Sequence, residues 1–304
     1  MIVVIGSSNT DMVIKTDHLP APGETVLGGS FFMNAGGKGA NQAVAAARLN
    51  GNVSFIVKVG NDVFGKQAIE LFANENINTE YIFIDDKNPS GVALITVDAK
   101  GENCIAVAQG ANGFLSAEDI QNAAAVLKKA DIILVQLEIP IETIEYVTEF
   151  AKQNDKQLIL NPAPACKLSD ELLSRISVIT PNEKEAEMLT GISINNNDSV
   201  KQAAKALSAK GIQTVIITLG KDGALLYQNN EFNLIPANKV NAVDTTAAGD
   251  VFNGALAVAL SEHMNLVEAI QFANNAASIS VTRLGAQASA PYRNEVEFLT
   301  QKNL

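Results

Sequence analysis

Residues 243–255 read VDTTAAGDVFNGA and join an apolar approach, two threonines and a small-residue turn to the start of an apolar helix. Small residues before a helix let backbone N–H groups approach a ligand, and the helix N-terminus adds a partial positive charge that suits phosphate. Asp250 lies in the first turn, where it could meet a substrate held against that phosphate. The stretch therefore predicts an anion hole with a general base. The alternative is a first-turn acid favoured by the helix dipole, with the small residues serving tight packing.

The chain has 304 residues, with 22 basic against 33 acidic side chains and a formal charge of -11. This acidic balance disfavours a nucleic-acid or anionic-membrane surface, so a bound nucleotide needs backbone amides, Mg²⁺ and a few lysines. Because neither a signal-like leader nor about eighteen consecutive apolar residues occur, we expect a cytoplasmic protein. Unpaired Cys104 and Cys166 and isolated His18 and His263 argue against a disulfide framework, a zinc site or a histidine triad.

Short runs rich in Val and Ile alternate with Ala-rich amphipathic stretches along the chain. This alternation predicts a single α/β domain over residues 1–304, a three-layer α/β/α fold with a mostly parallel central sheet. Ligands of such folds bind beyond the carboxyl ends of the strands. The predicted strands are 2–5, 52–59, 132–136, 157–160, 178–180 and 214–218, and the predicted helices are 41–49, 65–75, 116–129, 141–153, 183–190, 199–210, 250–261 and 266–282.

Two predicted strand pairs interrupt this alternation. LPAPGE separates residues 11–17 from 24–33, and DAKGE separates residues 91–97 from 103–108. Since no crossover helix follows either pair at once, we predict that segments 11–33 and 91–108 form a small β-sheet lid over the site. The alternative is that these strands extend the main sheet along an antiparallel edge.

A second glycine-rich element, NAGGKGAN at residues 34–41, runs directly into a predicted helix. It is not a Walker A loop, because position 32 is not glycine and Gly39 replaces the Ser or Thr that follows the lysine. It also fails the GxGxxG pattern, because the third glycine position is occupied by Gln42. A polyhydroxyl ligand fits better, since Lys38 and Asn41 can donate to hydroxyl groups while the glycines leave room.

Polar side chains follow several predicted strands at the carboxyl edge of the sheet. Asn9 and Asp11 form a candidate hydroxyl clamp, or else an Asx turn that ends the strand. Glu138 follows another strand, where it is a candidate ligand or a simple loop acid. Asn182 and Glu185 either cap a helix or arrange Mg²⁺ waters and phosphate oxygens. The motif ITLGKDG at residues 217–223 is either a hairpin turn or a nucleotide-facing loop.

Together these motifs resemble the ribokinase, or PfkB, family of carbohydrate kinases over essentially the whole chain. Both family signatures are present, GGKGANQA at residues 36–43 and DTTAAGDVFNGA at residues 244–255. Other matching segments follow in order: GSSNTD, LPAPGET, QLEIP, NPAPA, TPNEKEAE, ITLGKDG and VTRLGAQAS. The resemblance implies ATP-dependent phosphorylation of D-ribose at its 5-hydroxyl. The alternatives are a related kinase acting on deoxyribose, fructose, a ketodeoxy sugar acid or a nucleoside, and a non-catalytic sugar-binding regulator.

The resemblance also implies the role of individual residues. Asp250 is the expected base, and the helix start should keep its carboxylate ionised; the expected anion hole is Ala247, Ala248 and Gly249. The implied sugar site is Asn9, Thr10, Asp11, Gly37, Lys38, Gly39, Ala40, Asn41, Glu138 and Asp250. The implied site for ATP with Mg²⁺ or another divalent cation is Asn182, Glu185, Thr218, Leu219, Gly220, Lys221, Asp222, Gly223, Gly249, Asp250 and Asn274. The implied K⁺ site, formed largely by backbone carbonyls, is Asp244, Thr246, Ser280, Arg283, Gly285 and Ser289. The resemblance also implies a homodimer whose interface is formed by the two lids.

Overall fold

The structure is a computed structural model that describes residues 1–302, so the last two residues of the predicted domain lie outside the described part. Thirteen strands and eleven α-helices occur in this described part. The strands are β1 (Ile2–Ile5), β2 (Asn9–Lys15), β3 (Ser30–Gly36), β4 (Val53–Gly60), β5 (Ile82–Asp85), β6 (Gly91–Val97), β7 (Asn103–Ala108), β8 (Ile132–Val135), β9 (Gln157–Leu160), β10 (Val178–Ile179), β11 (Thr214–Thr218), β12 (Ala224–Gln228) and β13 (Glu231–Ile235). The helices are α1 (Lys38–Arg48), α2 (Val63–Asn74), α3 (Ala117–Asn122), α4 (Ala124–Lys129), α5 (Ile141–Gln153), α6 (Asp170–Leu173), α7 (Glu183–Thr190), α8 (Asn197–Ala209), α9 (Ala248–Ser261), α10 (Leu266–Ser280) and α11 (Arg293–Lys302).

Nine strands form the central sheet in the order β13-β12-β11-β10-β9-β8-β1-β4-β5. Every pairing from β11 to β5 is parallel, whereas β12 and β13 add an antiparallel edge. A short 3₁₀ turn, Gly220–Asp222, connects β11 to β12, so the motif at residues 217–223 is locally a hairpin turn. The sequence did not predict β5, β12 or β13. β5 and β13 are the edge strands of the sheet and β12 pairs with β13, so their pairing depends on the rest of the sheet more than on local pattern.

The core lies on both faces of this sheet. Along β1 the side chains of Ile2 and Val4 pack into a cluster with α1, α9 and α10, whereas Val3 and Ile5 pack into a cluster with α3, α4, α5 and α8. Successive side chains of a strand point to opposite faces, so a fully apolar strand requires cover on both. The predicted three-layer α/β/α fold with a mostly parallel sheet is therefore confirmed.

The two strand pairs form a separate four-stranded sheet in the order β3-β2-β6-β7. β2 pairs in parallel with β6, while β2–β3 and β6–β7 are antiparallel. The predicted small sheet is thus confirmed, and the alternative that these strands extend the main sheet is wrong. β3 begins at Ser30 instead of residue 24, because the chain before it contains Gly28 and Gly29 with φ of 97° and 98°, outside the extended region.

Two helices converge on one end of the sheet. α1 begins at Lys38, three residues before the predicted start, directly after Gly37 with φ of 87°. α9 packs on α1 so closely that a Cβ at Gly254 would lie 2.7 Å from the carbonyl oxygen of Gln42. This close crossing brings the starts of both helices to the same cleft.

The predicted helix 116–129 is interrupted at Ala123, which divides it into α3 and α4. Within residues 1–302 no helix is long and apolar enough to cross a membrane.

Candidate active site

The start of α9 borders a cleft of about 170 Å³. Ala247 precedes the helix in the left-handed conformation, with φ of 57°, and Gly249 has no heavy atom within 4 Å of the position that a Cβ would occupy. The amide of Ala248 donates to the Thr245 carbonyl at 3.3 Å, which closes the turn before the helix. The lining residues are Lys38, Asn161, Ala163, Thr180, Asn182, Glu185, Thr218, Thr245, Ala247, Ala248, Gly249, Asp250 and Asn253.

Asp250 is buried in the first turn of α9, where two side-chain amides hold its carboxylate. Asn41 donates to its Oδ2 and Gln42 donates to its Oδ1, each at 2.9 Å. Burial raises the pKa of Asp250, while the charge of Lys38 and the two amide hydrogen bonds act in the opposite direction. Burial is the largest of these influences, so the pKa of Asp250 is raised overall, and the expectation that the helix start keeps this carboxylate ionised stays a prediction. A raised pKa suits a general base, whose efficiency is greatest near the working pH.

Lys38 is the single cation among four carboxylates, those of Asp250, Glu138, Glu185 and Asp11. Burial lowers the pKa of Lys38, but these four charges together outweigh it, so the net pKa is raised. Burial, followed by the charges of Glu138 and Asp250, raises the pKa of Asp11 to about 6. Burial also raises the pKa of Glu185. The cleft is thus an acidic environment that favours cations and hydroxyl donors.

The predicted sugar clamp lies where β2 meets the main domain. Asn9 Oδ1 accepts from Asn112 Nδ2 at 2.8 Å, and the same Asn112 side chain bonds both the N–H and the carbonyl of Ser8. The Asp11 carboxylate lies over Gly36, where an added Cβ would come within 2.3 Å of it. Asn112 therefore fixes Asn9, although the sequence offered no signal for it.

Glu138 connects the end of the central sheet to the glycine-rich loop. Its Oε2 accepts from the Ser7 hydroxyl and from the backbone N–H of Lys38, the latter at 2.9 Å. At Gly37, φ is 87° and an added Cβ would lie 2.8 Å from the Asn9 nitrogen, so a larger residue is excluded. The remaining small residues of the loop, Gly39 and Ala40, are buried at the start of α1.

On the other side of the cleft, Asn182 and Glu185 form a capping box at the start of α7. Asn182 Oδ1 accepts from the Glu185 N–H at 2.9 Å, and Glu185 accepts from the backbone and side-chain nitrogens of Asn182 at 2.8 and 2.9 Å. The capping interpretation is confirmed, and both side chains also line the cleft. At the end of β11, Thr218 forms an isolated parallel β-bridge with Asn182. Beyond it Leu219 is half-buried, and Gly220, Lys221 and Asp222 are exposed.

Asn274 lies apart from this group and does not line the cleft among the described residues. It is 4% exposed, and its amide donates to the carbonyls of Ile235 and Pro236 at 3.0 and 3.4 Å. The side chain thereby holds the segment that leaves β13. Its predicted contact with ATP stays a prediction.

Two of the residues implied for K⁺, Thr246 and Gly285, contact Asp244. Its two carboxylate oxygens accept from the N–H groups of Thr246 and Gly285, each at 2.9 Å, which ties the loop before α9 to the loop after α10. The hydroxyls of Ser280 and Ser289 donate to nearby backbone carbonyls, and Arg283 pairs with Glu295. Among residues 1–302 no cluster of three or more His, Cys, Asp or Glu side chains could hold a metal ion, and the predicted K⁺ site stays a prediction.

Sequence reasoning missed a group of buried polar side chains around Asp250. It consists of Gln42, Gln136, Asn161, Thr180 and Asn253, each at most 5% exposed. Asn161 and Gln42 lie in motifs that the sequence singled out, NPAPA and GGKGANQA, so buried amides there were the available signal.

Comparison with known proteins agrees with this geometry. The chain is 46% identical to a ribokinase of Haemophilus influenzae, over 98% of each chain, and 41% identical to a deoxyribokinase of Salmonella typhi, over 95% of each chain. The solved ribokinase of Arabidopsis thaliana, complexed with ribose and ATP, superposes with a TM-score of 0.91 at 32% identity, covering 98% of this chain and 97% of its own. The pfkB family carbohydrate kinase model matches residues 1–293. The order of motifs, the α/β/α fold and these similarities establish that the chain belongs to the pfkB family of carbohydrate kinases.

Proposed function

We propose that this protein transfers the γ-phosphoryl group of ATP to the 5-hydroxyl of D-ribose, giving ribose 5-phosphate and ADP. The observation that carries the proposal is the buried Asp250 carboxylate at the open start of α9, held by two amides beside Lys38. Ribokinase relatives and the ribose and ATP complex of the Arabidopsis protein support the choice of both substrates.

Ribose would occupy the space between the lid and the start of α1. Asp11 and Glu138 would accept from sugar hydroxyls, while Asn9, Lys38 and Asn41 would donate to them or orient them. Thr10 lies between the two clamp residues on β2, and Gly37, Gly39 and Ala40 keep the loop narrow enough for the ring to approach. Three of these groups already interact electrostatically, since Glu138 and Lys38 both act on the pKa of Asp11. This density of polar groups suits a compact polyol.

In the transfer step, Asp250 accepts the proton of the 5-hydroxyl as its oxygen bonds to the γ-phosphorus. The bond from that phosphorus to the β–γ bridging oxygen breaks, and ADP leaves with the electron pair. The partial positive charge of the α9 start, with Ala247, Ala248 and Gly249, would stabilise the equatorial phosphoryl oxygens. Phosphoryl transfer needs this alignment and charge stabilisation more than covalent help from the protein.

ATP would lie along the other side of the cleft. Residues 218–223 form the turn that would face the nucleotide, and Asn182 would lie near its phosphates and Asn274 nearer its base. The turn consists of Thr218, Leu219, Gly220, Lys221, Asp222 and Gly223, of which Gly220, Lys221 and Asp222 are exposed. The donor set fits Mg²⁺, because the Glu185 carboxylate lines a cleft with an excess of acidic groups. When bound, Mg²⁺ would neutralise charge on the transferred phosphates.

A monovalent cation, K⁺, would bind beside the loop that precedes α9. The Asp244 carboxylate supplies one negative charge there, and Thr246, Ser280, Arg283, Gly285 and Ser289 would contribute mainly carbonyl oxygens. This donor set fits a weakly hydrated cation, because the Arg283 and serine side chains already bond protein groups. The ion would order the loop that leads into Ala247.

The exposed face of the small sheet would form a homodimer interface. Phe31, Met33 and Leu94 are 51–61% exposed on strands β3 and β6, and the strand register places all three on the same face. Exposed apolar surface of this kind on one sheet typically marks an interaction site. Pairing two lids would cover it.

The decisive variant is Asp250→Asn, which keeps the shape of the side chain and removes the base. We expect turnover to collapse, while ribose and ATP binding measured by calorimetry survive. The matched control is Asp198→Asn, which alters an exposed first-turn aspartate at the start of α8 and leaves turnover intact. Unchanged turnover in Asp250→Asn would mean that the base is assigned to the wrong residue, and another group would have to accept the hydroxyl proton.

A second candidate, phosphorylation of deoxyribose, is favoured by the 41% identity to the Salmonella deoxyribokinase. Steady-state kinetics over ribose, deoxyribose, fructose, a ketodeoxy sugar acid and a nucleoside separate the possibilities. The ribose proposal requires the highest kcat/KM for ribose. A preference for any other acceptor overturns it.

A further inference from the structure

Two buried side chains, those of Gln136 and Gln42, form a hydrogen-bonded chain from the end of β8 to the Asp250 carboxylate. Gln136 Nε2 donates to Gln42 Oε1 at 2.6 Å, and Gln42 Nε2 donates to Asp250 Oδ1 at 2.9 Å. The same Gln42 nitrogen donates to Asn161 Oδ1 at 3.0 Å. Gln42 and Gln136 are fully buried and do not line the cleft, so neither side chain is placed to touch a substrate.

The direction of these hydrogen bonds is forced by the carboxylate. An ionised Asp250 can only accept, so Gln42 must present its NH₂ group to it and its carbonyl oxygen to the opposite side. That oxygen in turn requires a donor, which Gln136 supplies. Gln136 Oε1 is left buried without a hydrogen-bond partner, beside Gly6, where an added Cβ would lie 2.1 Å from it. Leaving a buried carbonyl unsatisfied is costly, which indicates that the Gln136 orientation is set by its donor side.

The alternative orientation of Gln42 is excluded by repulsion. A flipped amide would direct its oxygen at both the Asp250 carboxylate and the Asn161 oxygen, and its NH₂ group at the NH₂ group of Gln136. Each of those contacts would replace a hydrogen bond by a clash of like partial charges. Asp250, Asn161 and Gln136 therefore all favour the same one of the two nearly isosteric orientations of the Gln42 amide.

We propose that Gln136 is a positioning residue for phosphoryl transfer, because it locks the Gln42 amide in the orientation that donates to Asp250. The inference rests on the proposed function, in which Asp250 is the base. With Asn41 on Oδ2 and Gln42 on Oδ1, each carboxylate oxygen has one fixed donor, which leaves a defined lone pair for the sugar hydroxyl. The two amides also oppose the effect of burial on this carboxylate, so they favour its ionised form, the form that can accept the hydroxyl proton.

The test is a double-mutant cycle of Gln42→Met and Gln136→Met, with kcat measured as a function of pH. We expect Gln42→Met to lower kcat about tenfold to a hundredfold, the range for losing a hydrogen bond to a charged group, with KM values within about twofold of the parent. We expect Gln136→Met to lower kcat by a smaller factor, about threefold to tenfold, because its effect is indirect. In both variants the acid limb of the kcat profile should move to higher pH by about one unit, since the carboxylate loses a donor.

The cycle distinguishes positioning from general loss of packing. If Gln136 acts through Gln42, then Gln136→Met causes no further loss of kcat in the Gln42→Met background. The control Thr143→Val removes a buried hydroxyl that donates to Leu115 O at 2.6 Å, so it measures lost stability without contact to Asp250, and its kcat profile should not move. Circular dichroism and the Tm establish folding, and Gln136→Leu replaces Gln136→Met if the latter does not fold.

Two results overturn the inference. One is a folded Gln136 variant whose kcat and whose acid limb of the kcat profile match those of the parent. The other is a Gln136→Met substitution that lowers kcat by the same factor in the Gln42→Met background as in the parent. Asp250→Asn run in parallel separates the two proposals. If that variant keeps its turnover, the base assignment fails; if it loses turnover while the Gln136 variants do not, only the positioning role fails.

Discussion

Replacing Asp11 by asparagine should make this protein more stable and at the same time a poorer sugar kinase. Asp11 lies among carboxylates, and burial with the charges of Glu138 and Asp250 raises its pKa from 3.8 to about 6. A rise of that size corresponds to about 3 kcal/mol at about 1.36 kcal/mol per pKa unit. Residual solvent access screens part of the repulsion, so we expect Asp11→Asn to gain about 1–3 kcal/mol in the free energy of unfolding near pH 8.

Proton linkage determines how the effect of Asp11→Asn on stability changes with pH. Because the pKa of Asp11 is higher in the folded than in the unfolded protein, ionisation of Asp11 opposes folding. This loss of folding free energy is fully present at pH values above about 6, the pKa of Asp11 in the folded protein. It declines as the pH falls and disappears below 3.8, the pKa of Asp11 in the unfolded protein. The stability advantage of Asp11→Asn should therefore be largest near pH 8 and small near about pH 4.

The assay is urea unfolding of the parent and the variant at both pH values, without sugar or nucleotide. The control is Asp17→Asn, an exposed acid just beyond the end of β2, which should have little effect at either pH. The KM for ribose should rise about tenfold to a hundredfold in Asp11→Asn, because neutral amides bind hydroxyls less strongly than carboxylates. An equal gain at both pH values, or none at pH 8, would refute the electrostatic reasoning.

Three further outcomes are expected. Replacing Na⁺ by K⁺ should raise kcat in a coupled ADP-release assay, and indifference to the cation would remove the proposed ion from the Asp244 loop. Phe31→Ser on the exposed face of the small sheet should weaken dimers in light scattering after size exclusion, whereas a parent that is already monomeric contradicts the lid interface. Gly254→Ala should lower the free energy of unfolding by about 1–3 kcal/mol, because its Cβ would lie 2.7 Å from Gln42 O and 2.9 Å from Ala45 Cβ. An unchanged Tm for that variant would mean that α1 and α9 separate without cost.

The balance between stability and function explains why the cleft is so acidic. Four carboxylates around a single lysine repel one another before any ligand is bound. A divalent cation bound with ATP would offset part of this repulsion, and sugar hydroxyls would satisfy the remaining acceptors. We therefore expect ligands to stabilise the protein by more than their contacts with Asp11 alone would suggest.

Local patterns in the sequence were sufficient for most of the element types and for the chemistry of the helix starts. The apolar run at residues 2–5 predicted a strand covered on both faces, and the alternation of strands with helices predicted the three-layer fold. Glycine at positions 36 and 37 predicted close backbone approach, and the structure has Asp11 and Asn9 against them. Such features depend on near neighbours in the chain, which is why pattern and propensity reveal them.

Partners distant in the sequence were decided by the tertiary structure. Asn41 and Gln42 meet Asp250 across 209 and 208 positions, and Gln136 reaches Gln42 across 94. These contacts require the sheet order and the close crossing of α1 and α9 at Gly254, which no local pattern encodes. The same holds for the acidity of Asp250: the sequence determined that a carboxylate begins the helix, whereas burial, set by the whole fold, decided that its pKa is raised.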